Sequence, residues 1–493
     1  MKKPIWHSEA KGSAKDLFVA FSAGRDVTVL PEADHLLVPY DIWTNQAHAL
    51  ALAQAGIYTP KELKTILQAL ARLEEKWSRG EWKLDPALED VHVNIETYVG
   101  ETCGEAIGGR LHSGRSRNDQ IAADMKLYAR DATLRLTEEI TVLLSSLTAH
   151  ARDHLHAVMP GYTHHRKATI TTWAHWCAAY GQGLLRDARR FTQAYENLNA
   201  CPLGSAAAYG TTWAIDRRLV AERLAFDHVQ ENTLDAVGSR GEAEAEIAYA
   251  SALLLKRLAG ISQDLILFST EEFGYLSLPA AFTTGSSIMP QKRNPDFAEA
   301  IKGKAHTVLG LATALLANNT ANLSGYNKDT QWSKYLFFDA IRETTGAAAL
   351  LADVFRVLQT HPERMEAAAK KGFLNAVDMA DHLARSRGIP FRATYRILSD
   401  AVGQAREDHF SLEDLNRLLE TQGISPLTLK EFHNLSDPRK CIAARDHIGS
   451  PHPKRVKTHL AAMEREKARF QRWILKQQKK IQTAKKRCAQ ATL

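Results

Sequence analysis

The stretch TTGSSIMPQKRNPDF, residues 283–297, contains residue types that can remove a proton and bind a carboxylate. Two adjacent serines are followed by Lys292 and Asn294, and glycine and proline residues interrupt the helical pattern around them. Long polar loops between rigid helices are often binding loops or lids. Pro295 can serve as the first residue of the next helix, with Glu299 in its first turn. The stretch therefore predicts a functional loop between two helices.

Three further polar stretches interrupt the chain: HSGRSRNDQ at 112–120, GYTHHRKAT at 161–169 and YNKDTQWSK at 326–334. Taken alone, each can be a helix cap or a solvated helix start. Together they supply cations, amides, hydroxyls and histidines, the groups needed to bind a small polycarboxylate and move a proton. Neither a phosphate-binding Walker loop nor a GxSxG nucleophile elbow is found in the first stretch.

No metal or cofactor site is predicted. The two adjacent histidines, His164 and His165, would point in different directions on any regular element and make a poor metal pair. The five cysteines never form a CxxC pair, which argues against a zinc cluster or a disulfide framework and favours a reducing compartment.

Long helices must hold these stretches in place, because helical periodicity dominates the sequence and alternating strand patterns are nearly absent. Four long segments fit helices of about 30 Å or more at about 1.5 Å per residue: residues 121–152, 171–198, 241–272 and 296–318. The predicted fold is an all-α bundle. We divide it into an N-terminal helical region (1–112), a central long-helix bundle (113–363) and a C-terminal helical region with a basic tail (364–493).

Composition is that of a globular protein, with 45% apolar and 24% charged residues in 493. The N-terminus lacks the apolar core of a secretory signal, and no apolar run reaches the length of a membrane span. These features predict a cytoplasmic protein.

The net charge of +7 belongs to the tail. Residues 463–493 hold ten Lys/Arg and two Glu, so the remainder of the chain is close to neutral. This distribution argues against a body that binds nucleic acid. We interpret the tail as a solvated extension, and contact with nucleic acid or an acidic membrane is the alternative.

The polar stretches also carry a family resemblance. GSSIMPQKRNP resembles the signature of the fumarase/aspartase superfamily. Within it, HSGRSRNDQ, GYTH, CPLGS, the stretch around residue 286 and YNKDTQ resemble argininosuccinate lyases, in the same order. The likeness extends from about residue 38 to about residue 450 and includes LDPALEDVHVNIE and NAVDMADHLARSRGIPFR.

The resemblance implies a homotetramer whose central helices form a twenty-helix bundle, with each active site built from three subunits. It implies that argininosuccinate is split reversibly to arginine and fumarate, without a metal or organic cofactor. A base removes a proton beside a carboxylate, an aci-carboxylate dianion forms, and an acid protonates the leaving nitrogen. Preorganised cations and N–H donors favour such a highly charged intermediate over the substrate.

The resemblance also assigns roles to individual residues. Ser286 corresponds to the catalytic base, and Lys292 and Asn294 correspond to residues that hold the substrate carboxylates. His164 corresponds to a histidine of the acid or orienting system, and Glu299 to its charge partner. The catalytic set is thus Ser286, His164, Glu299 and Lys292. The other substrate-binding residues that it implies, besides Asn294, are Thr163, Ser116, Arg117, Asn118, Tyr326, Gln331 and Lys334.

Several positions depart from the family pattern. WHSEAKG at 6–12 replaces a glycine- and arginine-containing stretch, and His165-Arg166 replaces an apolar residue and a glutamine. Trp332-Ser333 stands where the family usually has Glu-Asp, and Gly241 where an aspartate is common. The fumarate half of the site looks intact, whereas the surroundings of the amine half are altered.

Three alternatives therefore stay open beside a divergent argininosuccinate lyase. The first is a related fumarate-releasing lyase that acts on a different N-succinyl amine. The second is another superfamily activity, such as fumarase, aspartase or adenylosuccinate lyase. The third is a structural protein without activity, which the presence of Ser286, His164 and Lys292 argues against.

Overall fold

The computed structural model describes residue 21 and residues 32–318, 320 and 322–490. The departing stretch WHSEAKG at 6–12 lies outside the described residues.

The described chain is predominantly helical, which confirms the predicted all-α class. The helices are α1 (Val38–Gln54), α2 (Pro60–Ser78), α3 (Val91–Cys103), α4 (Glu105–Gly108), α5 (Arg117–Asp153), α6 (Trp173–Leu198), α7 (Arg217–Arg223), α8 (Thr233–Gly238), α9 (Glu242–Phe268), α10 (Asp296–Ala317), α11 (Gln331–Thr344), α12 (Ala347–Val357), α13 (Pro362–Ala369), α14 (Ala376–Arg387), α15 (Phe391–Gln404), α16 (Leu412–Thr421), α17 (Leu429–Ser436), α18 (Pro438–Ala443) and α19 (Pro453–Ala489). Short 3₁₀ turns occupy Ala33–Leu36, Pro86–Leu88, Ala280–Phe282 and Lys328–Thr330.

Short strands form two-stranded ribbons between the helices. The strands are β1 (Val158–Thr163), β2 (Arg166–Thr172), β3 (Ala200–Cys201), β4 (His228–Val229), β5 (Leu276–Ser277), β6 (Thr284–Gly285), β7 (Arg293–Asn294) and β8 (Gln359–Thr360). The pairs are β1–β2, β5–β8 and β6–β7, all antiparallel, and β3–β4, which is parallel. Two of these ribbons, β1–β2 and β6–β7, carry polar stretches that the sequence singled out.

Helix boundaries follow local signals. Thr59 caps α2 by accepting from the Glu62 N–H at 3.3 Å, and the Glu62 carboxylate accepts from the Thr59 N–H at 2.8 Å. The spacing of apolar residues predicts one buried face for this helix, at positions 63, 66, 67, 70, 73 and 77. The first five are buried and Trp77 is half-buried.

The four predicted long helices are confirmed as α5, α6, α9 and α10. They pack against one another and against α12 around one hydrophobic core. A second, smaller core lies in the C-terminal region and includes Met379, Leu383, Leu398, Leu415 and Leu419. The central bundle therefore provides long rigid elements whose ends carry the polar stretches.

The basic tail is not a solvated extension over its described length, which corrects our interpretation. Residues 453–489 form one long helix, α19, that packs against α5 and α6. Leu460, Met463 and Ile474 are among its buried side chains. Apolar residues at helical spacing were present in the tail, but its charge content obscured them. Among the described residues, none of the helices combines the length and apolar character that a membrane crossing requires.

Candidate active site

One cleft brings two of the four polar stretches together. It has a volume of about 510 Å³ and lies where the start of α5 meets the start of α11. Of the residues the sequence singled out, five line it: Arg117, Asn118, Tyr326, Gln331 and Lys334. The first stretch, at 112–120, and the fourth, at 326–334, thus line one cleft within a single chain.

Both signs of charge line this cleft. Its cations are Arg117, Arg240, Lys328 and Lys334. Its acids come from segments near residues 32–34 and 85–90, namely Glu32, Asp34, Asp85, Glu89 and Asp90. Lys334 forms an ion pair with Asp34, and the Arg117 guanidinium lies 3.7 Å from the Asp90 carboxylate. A ligand that carries both carboxylates and a cationic group matches this mixture.

The first stretch is shaped by a capping box at the start of α5. The Ser116 hydroxyl accepts from the Asn118 N–H at 3.3 Å, and the Asp119 carboxylate accepts from the Ser116 N–H at 2.9 Å. This geometry turns Arg117 and Asn118 toward the cleft, where the N-terminal end of the helix favours negative charge. Ser116 itself is half-buried and does not line the cleft.

Asp119 joins this stretch to a second loop. Its other carboxylate oxygen accepts from the N–H groups of Gly204 and Ala206, both at 2.8 Å. Burial raises the pKa of Asp119 to about 6, although its backbone N–H donors oppose that shift. One buried carboxylate therefore holds CPLGS, another of the family motifs, against the first stretch.

A buried polar cluster supports the cleft from below. Asp41 accepts from Gln120 Nε2 at 2.6 Å and lies 2.9 Å from His92 Nδ1. Asp124 accepts from Thr44 at 3.0 Å. Burial alone would raise the pKa of Asp41, but His92 lowers it, whereas burial and the Asp41 charge raise the pKa of Asp124 well above its usual range. His92 lines the cleft, so the cluster fixes the orientation of its ring.

Asp41, His92 and Asp124 could also hold a metal ion by composition, since their ligand atoms lie within 4.8 Å of one another. Asp41 and one oxygen of Asp124 accept the hydrogen bonds described above, and the cation Arg115 is buried beside them. The other oxygen of Asp124 accepts no hydrogen bond among the described residues and lies 3.6 Å from His92 Nδ1.

The Ser286 loop is closed at its base by a small ribbon. Thr284 pairs with Asn294 and Gly285 with Arg293. Residues 286–292 therefore form the loop that connects β6 and β7. The Ser286 Oγ accepts from the N–H groups of Ile288 at 3.3 Å and Met289 at 3.0 Å. Hydrogen bonds to an oxygen favour its deprotonated form. The loop thus presents a serine whose alkoxide would be stabilised by two backbone donors.

Lys292 is exposed on the same loop, and Asn294 Nδ2 donates to Thr284 Oγ1 at 3.4 Å. Thr284 in turn donates to the Asp296 carboxylate at the start of α10. Pro295 precedes that helix as its cap, one position earlier than the sequence predicted.

His164 lies at the tip of the β1–β2 hairpin. Thr163 pairs with Arg166, and the two residues between them, His164 and His165, have φ values of 53° and 57°. Two positive φ values in a two-residue loop are typical of the type I′ turn that matches the strand twist. Thr163, His164 and His165 are all exposed, and the hairpin projects its polar tip away from the chain's own core.

A single described chain does not assemble all the predicted residues. Ser286, Lys292, Asn294, Thr163 and His164 do not line the cleft that holds Arg117 and Lys334. Glu299 is exposed on α10, and within the described part of one chain it forms no ion pair with His164. The predicted residues therefore fall into three groups, those of the cleft, those of the Ser286 loop and those of the His164 hairpin, and neither of the last two groups lines the cleft.

Comparisons with known proteins show which family the chain is related to. A family model described as Lyase matches residues 28–310, and one described as Argininosuccinate lyase C-terminal matches residues 373–443. The argininosuccinate lyase of Nitrosococcus oceani is 40% identical over 432 residues, covering 88% of this chain and 91% of the relative. That of Thiobacillus denitrificans is 40% identical over 430 residues, covering 87% and 92%.

The chain belongs to the argininosuccinate lyase family. Among solved structures, EDDS lyase in complex with formate is similar with a TM-score of 0.89 and 27% identity, covering 99% of this chain and 97% of that one. The 3-carboxy-cis,cis-muconate lactonizing enzyme from Pseudomonas putida shares the fold, with a TM-score of 0.71 at 19% identity over 93% of this chain and all of that one.

Two departures from the argininosuccinate lyase pattern lie against each other. Gly241 has a φ of 96°, and a Cβ on it would lie 3.5 Å from Cβ of Ser333. Ser333 is buried and donates to the Thr330 carbonyl at 2.8 Å. Positive φ disfavours any side chain at 241, so the two small residues form a matched pair. The neighbouring Trp332 is 54% exposed and does not line the cleft.

Sequence reasoning missed several cleft residues of this family member, notably Asp34, Asp90, His92 and Arg240. Asp90 and His92 lie in LDPALEDVHVNIE, and Arg240 precedes Gly241 in a stretch noted for its glycine. Arg240 is buried and its Nε has no hydrogen-bond partner among the described residues. The sequence signal that could have identified Arg240 as a cleft residue was its position directly before Gly241.

Proposed function

We propose that this protein catalyses the reversible elimination of argininosuccinate to arginine and fumarate, a carbon–nitrogen lyase reaction of arginine biosynthesis. The observation that carries the proposal is the mixed charge of the cleft. Fumarase and aspartase substrates are small anions or amino acids that lack a guanidinium. The acidic residues near 32–34 and 85–90 provide counter-charges for a guanidinium, while Arg117, Arg240 and Lys334 provide them for carboxylates.

Ser286 is the proposed base. It takes the proton from the carbon beside a succinyl carboxylate, and the electron pair passes into that carboxylate to give the aci-carboxylate dianion. The N–H groups of Ile288 and Met289 stabilise the serine alkoxide that must act, and Lys292 and Asn294 from the same loop bind the succinyl carboxylates. The C–N bond then breaks, its electrons go to nitrogen, and fumarate is released.

His164 and Glu299 form the proposed acid and orienting system for the leaving nitrogen, and Thr163 donates to a carboxylate. Ser116 fixes the conformation of the first stretch through the capping box at the start of α5. Substrate is bound in the cleft by Arg117, Asn118, Tyr326, Gln331 and Lys334. The chemistry so described needs only charge stabilisation and proton transfer by side chains.

The proposed assembly is a homotetramer in which each site draws on three subunits. Support comes from the separation of the three groups of site residues and from apolar side chains exposed on the bundle helices, including Tyr249, Leu309 and Leu316. Such side chains on long helices fit a twenty-helix core that buries them between copies. The five cysteines are free thiols, which supports a cytoplasmic location.

A fumarate-releasing lyase for a different N-succinyl amine is the second candidate, because EDDS lyase resembles the chain closely in structure and because positions 241, 332 and 333 depart from the family. The exposure of Trp332 and its absence from the cleft weigh against a direct role in amine selection.

The test is fumarate formation from argininosuccinate, followed by ultraviolet absorbance. We expect saturable turnover by the wild type. Ser286→Ala should lower kcat by about 10²–10⁴-fold or more, the usual contribution of a positioned base, with substrate affinity retained. Ser287→Ala is the matched control, since the adjacent serine is exposed and should be dispensable.

Two results would overturn these assignments. Near-normal turnover by Ser286→Ala would exclude it as the base. A folded wild type that releases no fumarate from argininosuccinate, yet adds one of a panel of other amines to fumarate, would establish the second candidate instead.

A further inference from the structure

The exposed face of α19 carries one row of cations that catalysis does not use. Its members are Arg465, Arg469, Arg472, Lys476, Lys479 and Lys486, which we call the cationic stripe, and all are exposed. Their spacings of three, four and seven residues keep them on one side of the helix. From residue 467 to residue 490 the chain contains no acidic residue.

The remaining cations in this half of the helix already have partners. Lys467 pairs with Glu464 at 2.6 Å, Lys480 pairs with Asp227, and Arg487 lies 3.5 Å from Glu222. Lys485 lies over the ring of Trp43 at 5.0 Å. By contrast, the stripe residues form no ion pair with any part of the chain that the structure describes. Their charges are therefore available to a ligand.

The stripe is also held rigid. The opposite face of α19 is buried on the bundle through Phe470, Ile474 and Ile481, and Arg189 of α6 bonds Glu466 near the stripe's start. At about 1.5 Å per residue the row extends for about 30 Å, with a cation roughly every 5 Å. A straight, preorganised row of this length matches a regular polyanion better than a small ligand.

We propose that the cationic stripe binds the phosphate backbone of duplex nucleic acid without reading its sequence. Duplexes present phosphates regularly along their length, and neutralising them releases counterions. A single strand would need stacking partners, but Phe470 is buried and Trp473 packs edge-on against Tyr195 at 5.1 Å.

Two other occupants fit less well. An amphipathic helix binds a membrane by inserting its apolar face, and here that face is occupied by the bundle. A second copy of the chain would bring two like-charged stripes together, which is repulsive. None of the stripe residues lines the cleft or belongs to the Ser286 loop, so this surface is independent of the proposed lyase site.

The experiment measures binding of the full-length protein to a fluorescent random-sequence duplex of about 30 base pairs by anisotropy. The stripe variant combines Arg469→Gln, Arg472→Gln, Lys476→Gln and Lys479→Gln. The control variant combines Lys64→Gln, Arg72→Gln, Arg396→Gln and Lys430→Gln, and so removes the same charge from exposed positions elsewhere. Fumarate formation and the assembly mass check that both variants stay folded.

With six phosphate contacts, wild-type affinity should fall by about 10³-fold between about 50 mM and 200 mM salt. The control variant should behave likewise. The stripe variant retains two stripe cations, so its affinity at low salt should be much weaker and should fall by only about tenfold over the same range.

Absence of duplex binding by the wild type, or equal binding by the stripe and control variants, would refute the proposal. Vesicles rich in phosphatidylserine provide the second arm. If the wild type sedimented with vesicles through the stripe but did not bind the duplex, the surface would serve a membrane and the proposal would be wrong.

Discussion

At the scale of single residues, two backbone N–H groups donate to the hydroxyl of Ser286, the proposed base, and the Asp119 carboxylate holds the stretch that carries the proposed binding residues. Asp119 accepts three backbone hydrogen bonds, from Ser116, Gly204 and Ala206, at distances of 2.8–2.9 Å. An ionised carboxylate can accept all three hydrogen bonds, because both of its oxygens are acceptors. An amide has one accepting oxygen, and its NH₂ group would face an N–H donor without forming a hydrogen bond. The conformation of the first stretch therefore depends on the negative charge of Asp119, which is buried and does not line the cleft.

We predict that Asp119→Asn lowers kcat/KM by about ten- to a hundredfold, since the loss of one charge-assisted hydrogen bond costs about 1.5–3 kcal/mol. The loss should appear mainly as a higher KM, because Arg117 and Asn118 lose their fixed positions.

The matched control is Asp216→Asn, which removes a carboxylate that also caps two N–H groups, those of Arg218 and Leu219, at the start of α7. If Asp119→Asn stayed within about twofold of this control in kcat/KM, the positioning role would be excluded.

At the scale of elements, one carboxylate joins the middle of α5 to the start of α12. Glu139 in the middle of α5 accepts from the Gly346 N–H through both carboxylate oxygens, at 3.0 and 3.1 Å, and so caps α12. Burial raises the pKa of Glu139 to about 7. The contact between the two helices is consequently sensitive to pH.

The sign of this sensitivity follows from the raised pKa. Between about pH 4.5 and 7 the folded state binds the Glu139 proton more tightly than the unfolded state, so this group makes stability fall as pH rises. Below that window the carboxyl is protonated in both states and costs nothing. Above that window the loss of folding stability is constant. It amounts to a few kcal/mol, because each unit of pKa shift corresponds to about 1.4 kcal/mol.

We predict that Glu139→Gln, which keeps an accepting oxygen without the charge, gains thermal stability relative to the wild type as pH rises toward 7 and holds that gain above it. Melting temperatures across this range provide the measurement. Glu138→Gln, at the exposed neighbouring position, should follow the wild-type profile. Parallel profiles for Glu139→Gln and the wild type would contradict the prediction.

At the scale of the whole molecule, the proposed homotetramer would bring the three groups of site residues together from neighbouring chains. In a site shared among subunits, two variants that are inactive for different reasons can complement each other. When Ser286→Ala and Lys334→Met subunits are mixed after unfolding or by coexpression, about a quarter of the sites should receive both native residues.

We therefore predict partial recovery of fumarate formation in these mixtures. The control mixes Ser286→Ala with Lys292→Met, whose altered residues share one loop, and should recover nothing. Recovery in neither mixture would mean that Ser286 and Lys334 act within one chain, and the shared-site assembly would be wrong.

The sequence alone determined the helical class, the four long helices and the loop that carries Ser286, because these depend on local periodicity and on proline and glycine positions. It also determined the family, because residue types at motif spacing need no three-dimensional information. Tertiary structure decided which distant segments meet: Asp34, Asp90 and Arg240 join Arg117 and Lys334 only through packing. It also decided that the basic tail packs on the bundle, since burial of a few apolar residues outweighs the local charge pattern in fixing where a helix lies.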